Sequence, residues 1–129
     1  MFQRVWAAIG LVGIVAGPVL AQDADQVAAG EQVFKRCVVC HKIGEGAENG
    51  TGPALTGVIG RTAGAAEGFD FSDGMVAAGE DGLVWDDENL MSYLANPKAM
   101  VPGTKMIFAG LKSEDDLRTV IAYMEANGG

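Results

Sequence analysis

Both cysteines of this 129-residue chain and its only histidine lie in the six-residue segment RCVVCH, from Arg36 to His41. Thiolate and imidazole bind transition metals readily, so one short segment holds the soft ligands of the whole protein. Cys37 and Cys40 are three residues apart, a spacing that places them on one face of a helix. Two sulfurs on one face can both reach one edge of a flat macrocycle, and His41 then projects its imidazole towards the centre of the ring. This segment is the first candidate for a chemical site.

The spacing Cys-x-x-Cys-His is the signature of covalent haem attachment, in which two thiols add to the haem vinyl groups and the histidine ligates iron. Other uses of these residues fit less well. A disulfide between Cys37 and Cys40 would close too small a loop to constrain the unfolded chain. A structural zinc ion needs four ligands, and a thioredoxin-like pair needs a βαβ unit. Catalysis by cysteine with histidine needs a fold that brings the two together, whereas here they are sequence neighbours. We therefore predict one haem c with its iron, attached to Cys37 and Cys40 and ligated by His41.

Residues 1–21 have the form of a secretory signal peptide. Arg4 supplies a positive charge, residues 5–20 are almost wholly apolar, and Ala21 precedes a cleavage site. The apolar run is shorter than the roughly 20 residues that usually span a bilayer, so retention as a membrane anchor is the weaker alternative. Cleavage after Ala21 would leave residues 22–129 as a single domain in the periplasm, a location that suits covalent haem attachment.

The charge of the chain excludes one class of partner. The net charge is −8, and removal of residues 1–21 takes away one positive charge, that of Arg4, and leaves −9. Binding to nucleic acid depends on clustered lysine and arginine, so nucleic acid is not expected as a partner. A domain of about 108 residues buries a modest share of its surface, and a bound cofactor would help to stabilise it.

The apolar pattern predicts three main helices and no strand pair. The first covers residues 25–40, the second begins at Asp86 and ends before Pro97, and the third begins at Ser113, which can cap it. A shorter helix is expected over residues 72–78. Residues 44–68 and 100–110 contain many glycine and proline residues and are expected to be loops. We therefore expect a small all-α domain, whose short helices need tertiary packing to persist.

The haem iron needs a second axial ligand opposite His41, and methionine is the available type. The chain has no second histidine, and methionine ligation gives an electron-transfer iron with a raised reduction potential. Methionines on apolar helix faces usually fill the core. Met100 and Met106 instead share the loop over residues 100–110, and spacing alone does not rank one far above the other. Cleavage after Ala21 would leave five methionines: Met75, Met91, Met100, Met106 and Met124.

Nearly all of the mature sequence resembles class I cytochromes c of the mitochondrial and alphaproteobacterial kind. The matching segments are CVVCH, TGPALTGVIGR at residues 51–61, LVWDDENLMSYLANPKAMVPGTKMIFAG at residues 83–110 and VIAYM at residues 120–124. The resemblance implies the cytochrome c fold around one covalent haem and an electron carrier rather than an enzyme. It also implies that the methionine of PGTKM, Met106, is the sixth iron ligand. The carbonyl of Pro53 is implied to accept a hydrogen bond from the other ring nitrogen of His41.

The resemblance implies further residues of the haem pocket. Arg61 and Trp85 correspond to groups near a haem propionate, and Tyr93 and Thr104 to hydroxyls near the methionine sulfur. On the helices, Gly30 and Phe34 match positions that cross the last helix at Val120 and Tyr123. Two positions depart from the family pattern. Phe71 stands where a tyrosine is common, and Met75 where an asparagine is common, so polar contacts near the haem are lost.

Basic residues are concentrated near the attachment motif and the methionine loop, although the chain as a whole is acidic. Acidic residues cluster instead in residues 67–88 and 114–116. We expect a basic rim around the exposed haem edge, which would steer that edge to an acidic partner at a rate that falls with salt. The basic rim consists of Arg36, Lys42, Lys98, Lys105 and Lys112.

The predicted partners follow from the resemblance. They are a membrane quinol–cytochrome c oxidoreductase as donor, and a cytochrome oxidase, a photosynthetic reaction centre or another reductase as acceptor. We expect the carrier to be a monomer. Two other classes stay open on the residues. A peroxidase-like enzyme would have a labile sixth position on the iron, and a ligand-binding sensor would bind carbon monoxide in the ferrous state. The PGTKM segment weighs against both.

Overall fold

A computed structural model describes residues 10, 13 and 19–129. In the first helix, side chains are described from residue 24 onward. Five helices follow one another in the part of the chain that is described: α1 (Val19–Phe34), α2 (Asp73–Glu80), α3 (Asp87–Ala95), α4 (Pro97–Met100) and α5 (Glu114–Ala126). Within this described part the β-structure consists of one isolated antiparallel bridge between Thr62 and Val84. The predicted all-α fold is confirmed. The predicted signal segment lies outside the described residues, apart from residues 10, 13 and 19–21. No helix of the described part is long and apolar enough to cross a membrane.

Helices α1 and α5 cross closely, and a glycine permits the approach. A Cβ atom on Gly30 would overlap the backbone carbonyl of Thr119 and lie 2.8 Å from the Cβ of Tyr123. Beside this point the rings of Phe34 and Tyr123 pack with centroids 5.0 Å apart. Val120 is almost completely buried in the same region. The expected pairing of these positions is therefore present, and it anchors the helix that leads into the cysteine motif.

The helix boundaries show where local sequence signals were sufficient. Ser113 caps α5 by accepting a hydrogen bond from Asp116 N at 3.3 Å, and Ser72 caps α2 by accepting one from Met75 N at 3.1 Å. Helix α3 ends before Pro97, as predicted, and Pro97 then starts α4. The predicted extension of the first helix to Cys40 is wrong. Regular α-helix ends at Phe34, and residues 35–40 continue as hydrogen-bonded turns.

Candidate functional site

The cysteine motif forms a compact turn at the end of α1. Cys37 N donates to Phe34 O at 2.8 Å, Cys40 N donates to Cys37 O at 3.1 Å, and His41 N donates to Cys37 O at 2.9 Å. These turns keep the helical spacing between the cysteines although the regular helix has ended. No disulfide joins Cys37 to Cys40. Burial raises the pKa of the Cys37 thiol, and the nearby charge of Arg36 partly offsets this increase.

The motif opens onto an apolar cavity in the middle of the domain. Its volume is about 250 Å³, whereas roughly 10 to 15 Å³ is enough to hold one water molecule. The walls are mostly hydrocarbon, from residues such as Leu55, Val58, Leu90, Leu111 and Val120. Cys37, Cys40, His41 and Met106 all border this one cavity. A large flat group with an apolar body and a ligated centre fits such walls, and a cluster of ordered waters does not.

The side of the cavity formed by His41 is held by backbone atoms. The Nδ1 atom of His41 lies 2.8 Å from the carbonyl oxygen of Pro53. Because a carbonyl can only accept, Nδ1 must donate its proton, and Nε2 keeps the lone pair that can bind iron. Gly52 packs against the imidazole so closely that a Cβ there would lie 2.5 to 3.0 Å from three ring atoms. Gly52 N also donates to Cys40 O at 2.8 Å.

The Met106 side is held mainly by hydroxyl groups. Tyr93 Oη and Thr104 Oγ1 are 2.7 Å apart, and Met106 N donates to Thr104 Oγ1 at 3.4 Å. Burial raises the pKa of the Tyr93 hydroxyl, and its bond to Thr104 partly opposes that rise. The predicted pair of hydroxyls therefore lies next to the backbone of Met106.

The structure separates the two methionines that spacing left unranked: Met100 is the last residue of helix α4, so the predicted loop begins one residue later, and Met106 lies within that loop. Met106 borders the cavity, whereas Met100 packs against the hydrophobic core and does not border it. Met75 and Met124 also border the cavity, but both are buried members of the core cluster. Met106 is therefore the methionine that lies on the cavity in an irregular loop rather than in a packed helix.

Arg61 and Trp85 are neighbours through their backbones. Trp85 N donates to Arg61 O at 2.9 Å, next to the Thr62–Val84 bridge, and both side chains border the cavity. Arg61 donates to the carbonyl oxygens of Thr56 and Ala54 at 3.2 and 3.5 Å, and no carboxylate pairs with it among the described residues. Burial lowers the pKa of its guanidinium. A half-buried cation without an acid fits a cofactor that brings its own carboxylates.

The two departures from the family pattern make one wall of the cavity more apolar. Phe71 packs edge-to-face against Phe69, with ring centroids 4.8 Å apart and an interplanar angle of 68°. Met75 is buried on α2. All three side chains border the cavity. The positions that often carry a phenol and an amide in the family therefore add hydrocarbon here.

The basic rim residues differ in their surroundings. All five are exposed, and Arg36 and Lys105 border the cavity, whereas Lys42, Lys98 and Lys112 do not. Two of the five side chains bind acceptors of the chain itself. Lys112 Nζ donates to the carbonyls of Ala95 and Ala109, and Lys105 Nζ binds Asp70. Asp70 was missed by the sequence reasoning. Its partner is 35 residues away, so no local pattern could have revealed it.

The chain is similar to known proteins in both sequence and structure. The family pattern described as Cytochrome c matches residues 27–127. A protein named cytochrome c2 from Afifella marina is 51% identical over 104 residues, which are 81% of this chain and 84% of that protein. Another cytochrome c2, from Blastochloris viridis, is 51% identical over 125 residues, covering 97% and 93%. The solved structure of cytochrome c2 from Rhodospirillum centenum matches with a TM-score of 0.76 and 42% identity, covering 80% of this chain and 98% of that one.

Proposed function

Since the chain belongs to the cytochrome c family, we propose that it is a soluble periplasmic one-electron carrier whose haem iron is ligated by His41 and Met106. Membership of this family makes it an electron-transfer protein rather than an enzyme, with one covalently bound haem c. When bound, the haem iron takes up and releases single electrons without a separate catalytic acid, base or nucleophile. The protein supplies the tether, the axial ligands, the apolar enclosure and the surface that meets a partner.

One observation carries the ligand assignment. The His41 imidazole, with its Nδ1 proton given to Pro53 O, borders the same cavity as the thiols of Cys37 and Cys40 and the side chain of Met106. The bond to Pro53 fixes the ring tautomer and raises the basicity of the free nitrogen. Thr104, itself bonded to Tyr93, accepts a hydrogen bond from the Met106 backbone.

Arg61 and Trp85 are proposed to bind the propionate groups of the haem. The guanidinium is half-buried and has only carbonyl acceptors among the described residues. The indole ring of Trp85 is buried and packs against Tyr93 with centroids 5.0 Å apart. A cationic donor at the cavity wall would offset the cost of enclosing a carboxylate.

Export and the domain boundary are part of the same proposal. Residues 1–21 would direct the chain to the periplasm and be cleaved after Ala21, and residues 22–129 would form the cytochrome domain. The family match over residues 27–127 falls within that proposed domain. The composition of residues 1–21 supports the proposal, because a charged start, an apolar run and a small residue before the cut are the parts of a signal peptide.

The proposed partners are a membrane quinol–cytochrome c oxidoreductase as donor and a cytochrome oxidase, a reaction centre or another reductase as acceptor. The carrier would act as a monomer and dock through the basic rim. Arg36 and Lys105 are exposed and border the cavity, so positive charge lies beside the proposed haem site. Electron-transfer rates to such a partner should fall as ionic strength rises, because exposed charges are screened by salt.

An optical spectrum of the purified periplasmic protein tests the proposal. We expect a haem c spectrum with the charge-transfer band of a methionine–iron bond in the oxidised state. Met106→Ala should remove this band, because no other loop methionine borders the cavity among the described residues. Met100→Ala is the matched control and should keep it. A spectrum without haem, or an unchanged band in the Met106 variant, would contradict the proposal.

A further inference from the structure

Lys105 and Asp70 form an ion pair between two loops that are far apart in the sequence. Lys105 Nζ lies 3.2 Å from Asp70 Oδ2 and donates to the Asp70 backbone carbonyl at 2.9 Å. Residues 101–113 are called the Met106 loop below. Among the hydrogen bonds that the described residues form, these two are the only ones between residues 66–72 and the Met106 loop. The pair is therefore the polar connection between the two loops.

Both ends of the ion pair adjoin the cavity. Lys105 directly precedes Met106 and itself borders the cavity. Asp70 lies between Phe69 and Phe71, whose rings form part of the cavity wall. The pair consequently holds the Met106 loop against the aromatic wall. When the pair opens, the backbone next to Met106 loses this contact.

Both side chains are exposed enough for a carboxylate of another protein to replace Asp70 as the partner of Lys105. The side chain of Asp70 is 99% exposed and that of Lys105 is 53% exposed. An exposed ion pair of this kind shifts the equilibrium between its paired and separated states by at most about fivefold. A carboxylate from another protein offers Lys105 nearly the same interaction, so replacement of Asp70 costs little. Lys112 differs, because its ammonium group binds two backbone carbonyls rather than an acid.

We propose that the Lys105–Asp70 pair is a docking-sensitive clasp. An acidic side chain of the redox partner takes Lys105 from Asp70, and docking thereby loosens the Met106 loop. The inference rests on the proposed function, since it requires Met106 as a ligand and an acidic docking partner. Coupling of this kind is reciprocal: an open clasp must favour docking by the factor by which docking favours opening.

Displacement of Met106 by imidazole in the oxidised holoprotein measures the clasp without a partner. Asp70→Asn should raise the apparent affinity for imidazole by up to about fivefold. Imidazole binding is measured by the loss of the methionine–iron band. Lys105→Gln should raise it at least as much, because Asp70→Asn leaves the bond from Lys105 to the backbone carbonyl. Glu67→Gln is the control, since it removes one negative charge nearby without touching the pair. Its imidazole affinity should equal that of the unmodified protein.

Poly-L-glutamate at low salt serves as the carboxylate probe, with binding followed by NMR. Asp70→Asn should bind it more tightly than Glu67→Gln does, and Lys105→Gln more weakly than the unmodified protein does. Loss of charge alone would also shift binding in these two directions, so the comparison of Asp70→Asn with Glu67→Gln, which removes the same charge nearby, is the one that measures the release of Lys105. In the unmodified protein the probe should also raise imidazole affinity, and in Asp70→Asn this rise should be smaller.

The failures are distinguishable. Absence of the methionine–iron band in the unmodified protein would overturn the Met106 assignment and the clasp with it. No binding of poly-L-glutamate would overturn the basic docking surface and the exchange that depends on it. Binding that leaves imidazole affinity unchanged, or shifts of the same sign in both variants, would overturn the clasp alone.

Discussion

The two sides of the cavity are built differently. On the His41 side, the loop over residues 49–56 is bonded to the attachment motif through main-chain atoms: Gly52 N to Cys40 O at 2.8 Å, and Leu55 N to Lys42 O at 2.8 Å. On the Met106 side, the hydroxyl of Thr104 and the ion pair of Lys105 hold the residues next to Met106, and the main-chain bond from Leu111 N to Leu94 O at 2.8 Å lies five residues further along. Backbone bonds and close packing do not depend on a flexible side chain, so the His41 side should be the more rigid. We therefore expect the proposed ligand His41 to be held more firmly than the proposed ligand Met106.

The largest loss of stability should come from a side chain placed at Gly52, against the imidazole of His41. In Gly52→Ala the new methyl group would lie 2.5 to 3.0 Å from ring atoms of His41, so the ring or the loop must move. We expect a loss of about 3 kcal/mol in the free energy of unfolding and a lower yield of haem-containing protein. Thermal unfolding and the ratio of haem to protein measure both.

Gly50→Ala is the control for this change. A Cβ there would meet only Cys40 O, at an ordinary 3.9 Å, and its backbone does not need glycine. The variant should unfold within about 0.5 kcal/mol of the unmodified protein. Equal stability of the two variants would show that Gly52 does not hold the ring.

A smaller effect is expected on the Met106 side. Thr104→Val keeps the shape of the side chain but removes the partner of Tyr93 Oη and the acceptor of Met106 N. We expect a loss of about 2 kcal/mol in unfolding free energy, because the Tyr93 hydroxyl is left unpaired in a buried position. Imidazole should also displace Met106 more readily. Thr62→Val, whose hydroxyl forms no hydrogen bond among the described residues, is the control and should leave imidazole affinity unchanged. A stable Thr104 variant with unaltered imidazole affinity would refute this account of the Met106 side.

The smallest effect on stability is expected at Glu125, where α5 approaches α3. Helix α3 carries Tyr93, and α5 packs on α1. Burial and the neighbouring Asp87 carboxylate raise the pKa of Glu125. A raised pKa means that the folded state favours the protonated acid, so stability is lost as the pH rises through that pKa. Glu125→Gln should therefore be more stable at neutral pH by a few tenths of a kcal/mol, since Glu125 is largely exposed. The gain should vanish at acidic pH.

Glu114→Gln gives the opposite sign in the same helix. Glu114 pairs with Arg118 and lies in the first turn of α5, where a negative charge is favourable. Its neutralisation should lower stability slightly at neutral pH. Denaturant titrations at neutral and acidic pH compare the two variants. A Glu125→Gln gain that persists in acid would rule out the Asp87 interaction as its cause.

Local signals in the sequence predicted much of this molecule. Ser113 and Pro97 mark helix boundaries because capping and the geometry before proline act within a few residues. The first helix was predicted too long, since its apolar pattern continues past Phe34 while the chain already turns towards the cavity. The amino-acid types at the attachment motif were sufficient to infer haem, because the two thiols that attach it and the imidazole that ligates iron lie within five residues. From the sequence, the choice of Met106 over Met100 needed the family resemblance, since both fall in one predicted loop; in the structure Met100 ends helix α4.

By itself, then, the sequence determined the helical class and the family and predicted the covalent haem site, because each depends on residues that are close in the chain or on a long matching pattern. The tertiary structure decided which side chains meet across the cavity. It placed Pro53 O beside His41, Arg61 beside Trp85 and Asp70 beside Lys105. The physical reason is that such contacts depend on the path of the backbone between distant residues. Glycine packing and main-chain hydrogen bonds set that path, and the residues they join show no shared pattern in the sequence.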